Sequence, residues 1–397
     1  MKKYMISIIA AIAGLIPGAA QETSEWESGG YSLRLIPDSV NRVEITKYSG
    51  DETELRIPGT FRKDGTAYTV SSIGRQAFYY DRNLRTVILP DGLTHIGEMA
   101  FTGCRNLQTV VLPGTVETIA PFAFTETGVR TMVVPDGVQA LDFATFLNSG
   151  SLHTLVLGKG LRVVGECALG QLNGLKELYV LSPEIPEIPE GMTPFYEAVC
   201  SGATVYVPSE LLTEYPVRPE DKRHITNSMF HDYEDGWWYF HEYRPVPDLF
   251  TVLYKDSYSV GSGESEEVLY ETVNRKDVTV YGAEWISDNE EIATVSDGYI
   301  TGNKAGATKG RVKVRTSQGV FTSSDFDIAV TGVEASPSPQ KSPGHTDSGK
   351  LTLTPNGEGN AGIYTLDGIY LGTDVKDLKP GIYIKKTDGE SRKITVK

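Results

Sequence analysis

Between residues 83 and 174 the sequence copies itself, and no other feature constrains the fold as much. The copies read NLRTVILPDGLTHIGEMAFTGCR, NLQTVVLPGTVETIAPFAFTETG, VRTMVVPDGVQALDFATFLNSG and SLHTLVLGKGLRVVGECALGQLN. A marker aromatic falls at Phe78, Phe101, Phe124 and Phe146, with Leu169 in the same slot, at steps of 23, 23, 22 and 23 residues. A period that steady predicts a solenoid of stacked coils.

Each unit makes physical sense as one coil. Leu84, Val87 and Leu89 recur as Leu107, Val110 and Leu112, as Val129, Met132 and Val134, and as Leu152, Leu155 and Leu157. The last two members of each trio alternate with outward positions, the pattern of a short strand with one buried face. Pro90, Pro113 and Pro135 end that strand, since proline has no N–H for the next ladder bond. A second apolar pair, Leu93 and Ile96 with their copies Val116/Ile119, Val138/Leu141 and Leu161/Val164, forms the return. Ala77 with Phe78, Ala100 with Phe101 and Ala123 with Phe124 then close the coil with one small and one large side chain. A single coil cannot bury so much apolar surface, so the coils must stack.

These positions resemble the BspA-like leucine-rich repeats of bacterial surface proteins, whose pattern is close to L-x-x-V-x-(I/L)-P-x-x-V-x-x-I-x-x-x-A-F. The resemblance covers about half the chain once flanking segments are included. It implies a mainly β protein built on a leucine-rich-repeat solenoid of about 23-residue coils. It also implies an exported, non-catalytic role in recognition or adhesion.

At 397 residues the chain is long for one core, and two to four domains are expected. A net charge of −15 argues against nucleic acid as a partner, because phosphate binding needs a basic surface. The odd cysteine count, Cys104, Cys167 and Cys200, cannot make a full disulfide framework. Cys104 and Cys167 sit near the closing turn of their coils and read as small buried hydrophobes.

Residues 1–20 carry Lys2 and Lys3, then the apolar run MISIIAAIAGLI, then Gly18, Ala19 and Ala20. That order is a secretory signal peptide, too short for a membrane span. No later apolar run has membrane length, so no transmembrane segment is expected after signal cleavage. Residues 21–250 are assigned to the solenoid with its end caps. Tyr31 to Arg75 reads as a degenerate first coil, in which Leu55, Ile57, Val70 and Ile73 take the repeated positions and FRKDGTAYT is inserted. Thr204 to Pro208 reads as the last strand.

Residues 251–333 change to short alternating strands with Gly/Asp turns. AEWISDNEEIATVSDGYITGNKAGATKGRVKV resembles bacterial Ig-like domains of group 2, matching at Trp285, Ala293, Val295, Gly298, Ile300 and Gly302 among others. The resemblance implies a β-sandwich with Trp285, Val295 and Ile300 in its core. Residues 334–350, EASPSPQKSPGHTDSGK with its flanks, are a Pro/Ser linker. Residues 351–397 form a small β module around turns at Asp367-Gly368 and Asp388-Gly389. There Tyr364, Gly368, Leu378, Gly381, Tyr383 and Ile384 resemble C-terminal sorting modules of the type IX secretion pathway.

No catalytic constellation emerges. The G-x-G-x-x-G match at residues 357–362 follows a linker and precedes a tyrosine-rich strand, so it lacks the βαβ setting a dinucleotide site needs. His231, Asp232, Glu234 and His241 match no zinc spacing. No cofactor, no metal and no enzymatic activity is expected.

The outward positions of the repeat strands form three columns. Thr86, Thr109, Thr131 and Thr154 stack in one; Ile88, Val111, Val133, Val156 and Tyr179 stack in the next. Beside them run Arg85, Gln108, Arg130, His153 and Lys176, a basic-leaning row on an acidic protein. Two readings stand: a binding face, or strand residues that simply suit a sheet. Five or six coils at about 4.8 Å spacing, with strands about 17 Å long, expose roughly 400 Å². A stable protein complex needs roughly 800 Å² per partner, so weak multivalent adhesion fits this face better than one tight complex. The aromatics Trp237, Trp238, Tyr239 and Tyr243 are either a sugar-stacking platform or a cap over the end of the core.

The sequence thus predicts a secreted or outer-surface protein that binds a protein or glycan on another cell or in host matrix. A glycan-binding surface protein and a structural envelope component without a specific ligand are the alternatives.

Overall fold

The computed structural model describes residues 25–37, 39–189, 192–196, 202–212, 242–276 and 278–332 in full, and the backbone of four strands between 362 and 396. The leader at residues 1–20, Cys200, Trp237, Trp238, Tyr239 and the linker at 334–350 lie outside the described residues. Among the described residues no helix is long and apolar enough to cross a membrane. Residues up to Glu334 form one compact unit and residues from Ala335 a second.

The repeats build the predicted solenoid. Glu54–Arg56, Thr86–Ile88, Thr109–Val111, Thr131–Val134, Thr154–Leu157, Glu177–Val180, Thr204–Val207 and Glu242–Pro245 lie side by side in that order. All seven pairings are parallel, because every coil runs the same way round. The register keeps repeated positions opposite one another, with Leu55 beside Val87, Val87 beside Val110, and Met132 beside Leu155. The sheet therefore has eight strands, where the sequence suggested five or six coils. The eighth, Glu242–Pro245, extends past the strand expected to be last.

On the return side, Thr66–Ile73, His95–Ile96 and Thr118–Ile119 pair in parallel, followed by Ala140–Leu141 with Val163–Val164. The closing turns carry their own coil-to-coil bonds. The amides of Phe78, Phe101, Phe124 and Phe146 each donate to the next coil, to the carbonyls of Ala100, Ala123, Thr145 and Ala168, at 2.9 Å. Buried turn amides are thereby satisfied without a helix.

The marker residues form a spine. Phe78 and Phe101 stack at 4.9 Å, Phe101 and Phe124 at 5.3 Å, and Phe124 and Phe146 at 5.7 Å, with planes within 11° of parallel. Leu169 continues the slot, and Phe195, a residue the period does not reach, is also fully buried. Next to the spine the chain turns through left-handed backbone at Gln76, Met99, Phe122, Ala144 and Cys167, all with φ between 55° and 60°. Non-glycine residues adopt that conformation only under constraint, and here the ladder of turn bonds supplies it. Cys104 is buried and free, its thiol pushed up to about 12 by burial, and Cys167 is free and half-buried.

The amino-terminal end departs from the expected degenerate coil. Glu54–Arg56 and Thr66–Ile73 do take the two strand positions, and Leu55, Ile57, Val70 and Ile73 are buried. Ahead of them, Glu25–Ser28, Tyr31–Leu35 and Arg42–Tyr48 run antiparallel, and the last joins Thr66–Ile73. This is a cap, not a coil. Its Tyr48 lies 5.4 Å from Phe78 and ends the spine where water would otherwise reach it. The inserted FRKDGTAYT is a hairpin whose turn residues Asp64 and Gly65 have φ of 50° and 80°, as a two-residue type I′ turn requires.

The second module packs two sheets. Ser257–Gly261, Phe326–Thr331, Gly306–Thr316 and Val280–Ser287 make one in that order, with Gly319–Thr322 beside Gly306–Thr316; Ser265–Glu267, Tyr299–Gly302 and Ala293–Ser296 make the other. Tyr258, Val260, Val295, Ile300, Phe326 and Ile328 fill the space between them. Trp285 is half-buried and packs at the edge of this core rather than at its centre. A separate long-looped antiparallel hairpin, Leu249–Leu253 with Tyr270–Asn274, whose connection holds Tyr254 and the strands Ser257–Gly261 and Ser265–Glu267, turns towards the repeats. Its first strand straddles the boundary expected at 250/251.

The carboxy-terminal unit is one antiparallel sheet of Tyr370–Gly372, Gly362–Tyr364, Gly381–Thr387 and Glu390–Val396, in that order. Its strands flank Asp367-Gly368 and Asp388-Gly389, the pairs the sequence marks as turns.

Candidate functional site

The three predicted columns exist. Thr86 pairs with Thr109, Thr109 with Thr131, and Thr131 with Thr154; Val133, Val156 and Tyr179 follow one another in the next column. The expectation that all of them face solvent does not hold. Val133 and Val156 are 5% and 0% exposed, because Val252, Tyr254 and Val273 of the turned hairpin lie on them. Ile88 and Val111 are half-buried, and Val111 packs at the margin of this second core. Tyr179 stacks against Tyr206 at 4.3 Å and against Phe250 at 4.5 Å. The apolar part of the predicted face is therefore an internal interface, held by the same burial that builds any core.

Charges frame this interface. Arg56 pairs with Glu267 at 2.6 Å, Lys255 with Glu54 at 3.7 Å and with Glu266 at 3.0 Å, and Arg130 with Asp256 at 3.7 Å. The basic row is thus partly neutralised within the chain. His153 is held below its ordinary value by burial and by the nearby charges of Lys176 and Arg130.

Between these ion pairs the hairpin leaves the sheet uncovered. A cleft of about 420 Å³ opens there, lined on one side by Arg85, Thr86, Gln108, Thr109 and Arg130. Lys255, Asp256, Ser257, Ser259 and Glu266 line the other side. A smaller pocket of about 190 Å³ shares Arg130 and Asp256 with it and reaches His153, Thr154, Glu177 and Thr251. The Thr251 hydroxyl is buried there without a hydrogen-bond partner. Thr154 donates to Glu177 at 3.3 Å on the same wall.

The sequence did not point to Tyr206, Phe250, Thr251, Tyr254, Lys255 or Asp256. Only Tyr206 left a signal, since TVYV at 204–207 aligns with ELYV at 177–180 and so extends the Tyr179 column. Of the alternative aromatic site, Tyr243 lies within Glu242–Pro245, pairs with Val205 and packs against the solenoid core. Among the described residues no group of His, Cys, Asp and Glu is arranged to hold a metal ion.

Residues 71–192 match the family model of the BspA type leucine rich repeat region, in six copies. They are a BspA-type leucine-rich-repeat region. Similar solved structures include a leucine-rich-repeat protein of T. pallidum, 27% identical over 40% of this chain and 72% of that one, with a TM-score of 0.36. A leucine-rich cell surface protein of Faecalibacterium prausnitzii is 25% identical, over 48% of this chain and 56% of its own, with a TM-score of 0.36. The pneumococcal vaccine antigen PcpA is 16% identical, over 47% and 50%, with a TM-score of 0.41. No curated protein matches the chain.

Proposed function

We propose that the protein is an exported, surface-located recognition or adhesion protein that binds a macromolecule of a host or neighbouring cell without chemistry of its own. The observation that carries this reading is the cleft left on the outer face of the repeats, lined there by Arg85, Gln108 and Arg130. The leader pattern at residues 1–20 supports export. The small open area favours repeated weak contacts over one tight complex.

Site-specific photocrosslinking tests it. The full chain carries benzoylphenylalanine at Gln108 in one variant and at Glu117, an exposed residue on the return side, in another. Both are presented to cultured epithelial cells and to mixed bacterial cells. Adducts of defined mass are expected from position 108 and not from 117. Equal capture at both positions, or at neither, would contradict the reading.

A further inference from the structure

The cleft holds a cation and an amide that nothing in the described chain engages. Arg130 and Lys255 at its ends are occupied by Asp256, Glu54 and Glu266. Arg85 and Gln108 also line it, and among the described residues neither side chain has an ion pair or hydrogen bond. Thr86 and Thr109, 7% and 2% exposed, also line the cleft. Ser257 and Ser259 face them from the second module.

We infer that this cleft is a binding site for a hexuronate residue of an acidic glycan. The inference rests on the reading of the outer repeat face as the recognition surface, and adds the chemistry of what is recognised. A guanidinium presents a planar fork that matches a carboxylate in two parallel hydrogen bonds. Hydroxyls of serine and threonine both donate and accept, as the ring hydroxyls of a sugar require. The volume of about 420 Å³ lies within the range of about 300–1,000 Å³ usual for small-ligand sites.

The same residues exclude other ligands. One unengaged cation, flanked by Glu54, Asp256 and Glu266, suits one carboxylate and repels a densely sulfated chain. A peptide would need apolar pockets, and the apolar column at Val133 and Val156 is already covered by the hairpin.

The experiment is a calorimetric titration of the full chain with trigalacturonate, with maltotriose as the uncharged comparison. Binding is expected for trigalacturonate only. Arg85→Ala should weaken it at least tenfold and Gln108→Ala should weaken it measurably. Arg105→Ala should leave it unchanged, because Arg105 pairs with Glu126 on the closing turns. Unchanged melting temperatures exclude unfolding as the cause. Absence of binding, equal binding of maltotriose, or binding indifferent to Arg85→Ala would each overturn the inference. If crosslinking at Gln108 persists in that event, only the ligand class has failed. If trigalacturonate binds while crosslinking gives no adduct, the cell-recognition reading has failed and the site stands.

Discussion

Phe101 is fully buried and stacked between Phe78 and Phe124, so its ring belongs to two coils at once. Phe101→Ala removes that ring from a slot that ladder-bonded turns cannot collapse into, and should cost about 3–5 kcal/mol. Chemical denaturation of the full chain measures it, and a loss below about 1 kcal/mol would mean the spine carries no weight. The spine was legible because identical slots must hold similar volumes. Its ends were not: Tyr48 and Phe195 do the same work at irregular spacing, where no period points to them. The left-handed turn residues were also invisible, since glutamine, methionine and phenylalanine advertise no such backbone.

At the scale of elements, the hairpin of Leu249–Leu253 and Tyr270–Asn274 decides what the repeat sheet can do. Its second strand carries Glu271, which accepts a hydrogen bond from the Tyr254 hydroxyl at 2.6 Å. Burial holds this carboxyl above its ordinary value of 4.5, and the nearby charge of Asp136 on the repeats adds to the effect. A carboxyl that keeps its proton longer when folded loses stability for the chain as pH rises from about 4.5 to the folded value. Below 4.5 the two states are protonated alike and the difference disappears. Glu271→Gln keeps an acceptor for Tyr254 and removes the buried charge. Thermal melts from pH 4 to 8 should therefore show a higher midpoint for the variant near neutrality and convergence in acid. A lower midpoint at pH 7 would show that the charge is favourable there. This cover could not be read from the sequence. Threonine and valine at outward strand positions suit a sheet whether water or another element lies on it, and the covering strand crosses the place where composition changes.

At the scale of the molecule, the repeats and the second module belong to one compact unit, and their contact limits which of the predicted site residues can meet a partner. The rows of Arg85, Gln108 and Arg130 were legible because they recur at the coil period. The pairing of Arg130 with Asp256 was not, nor that of Arg56 with Glu267, which are 211 residues apart. In solution the second module lies on the repeat sheet and leaves the cleft open. Tyr254 reports on it directly, being 3% exposed only because the hairpin is docked, whereas Tyr281 on the same module is 70% exposed. Hydroxyl-radical footprinting of the intact chain, read tyrosine by tyrosine, compares the two. Tyr254 should be protected to the level of core residues while Tyr281 is oxidised rapidly; oxidation of Tyr254 at a rate close to that of Tyr281 would mean that the module is not docked on the sheet.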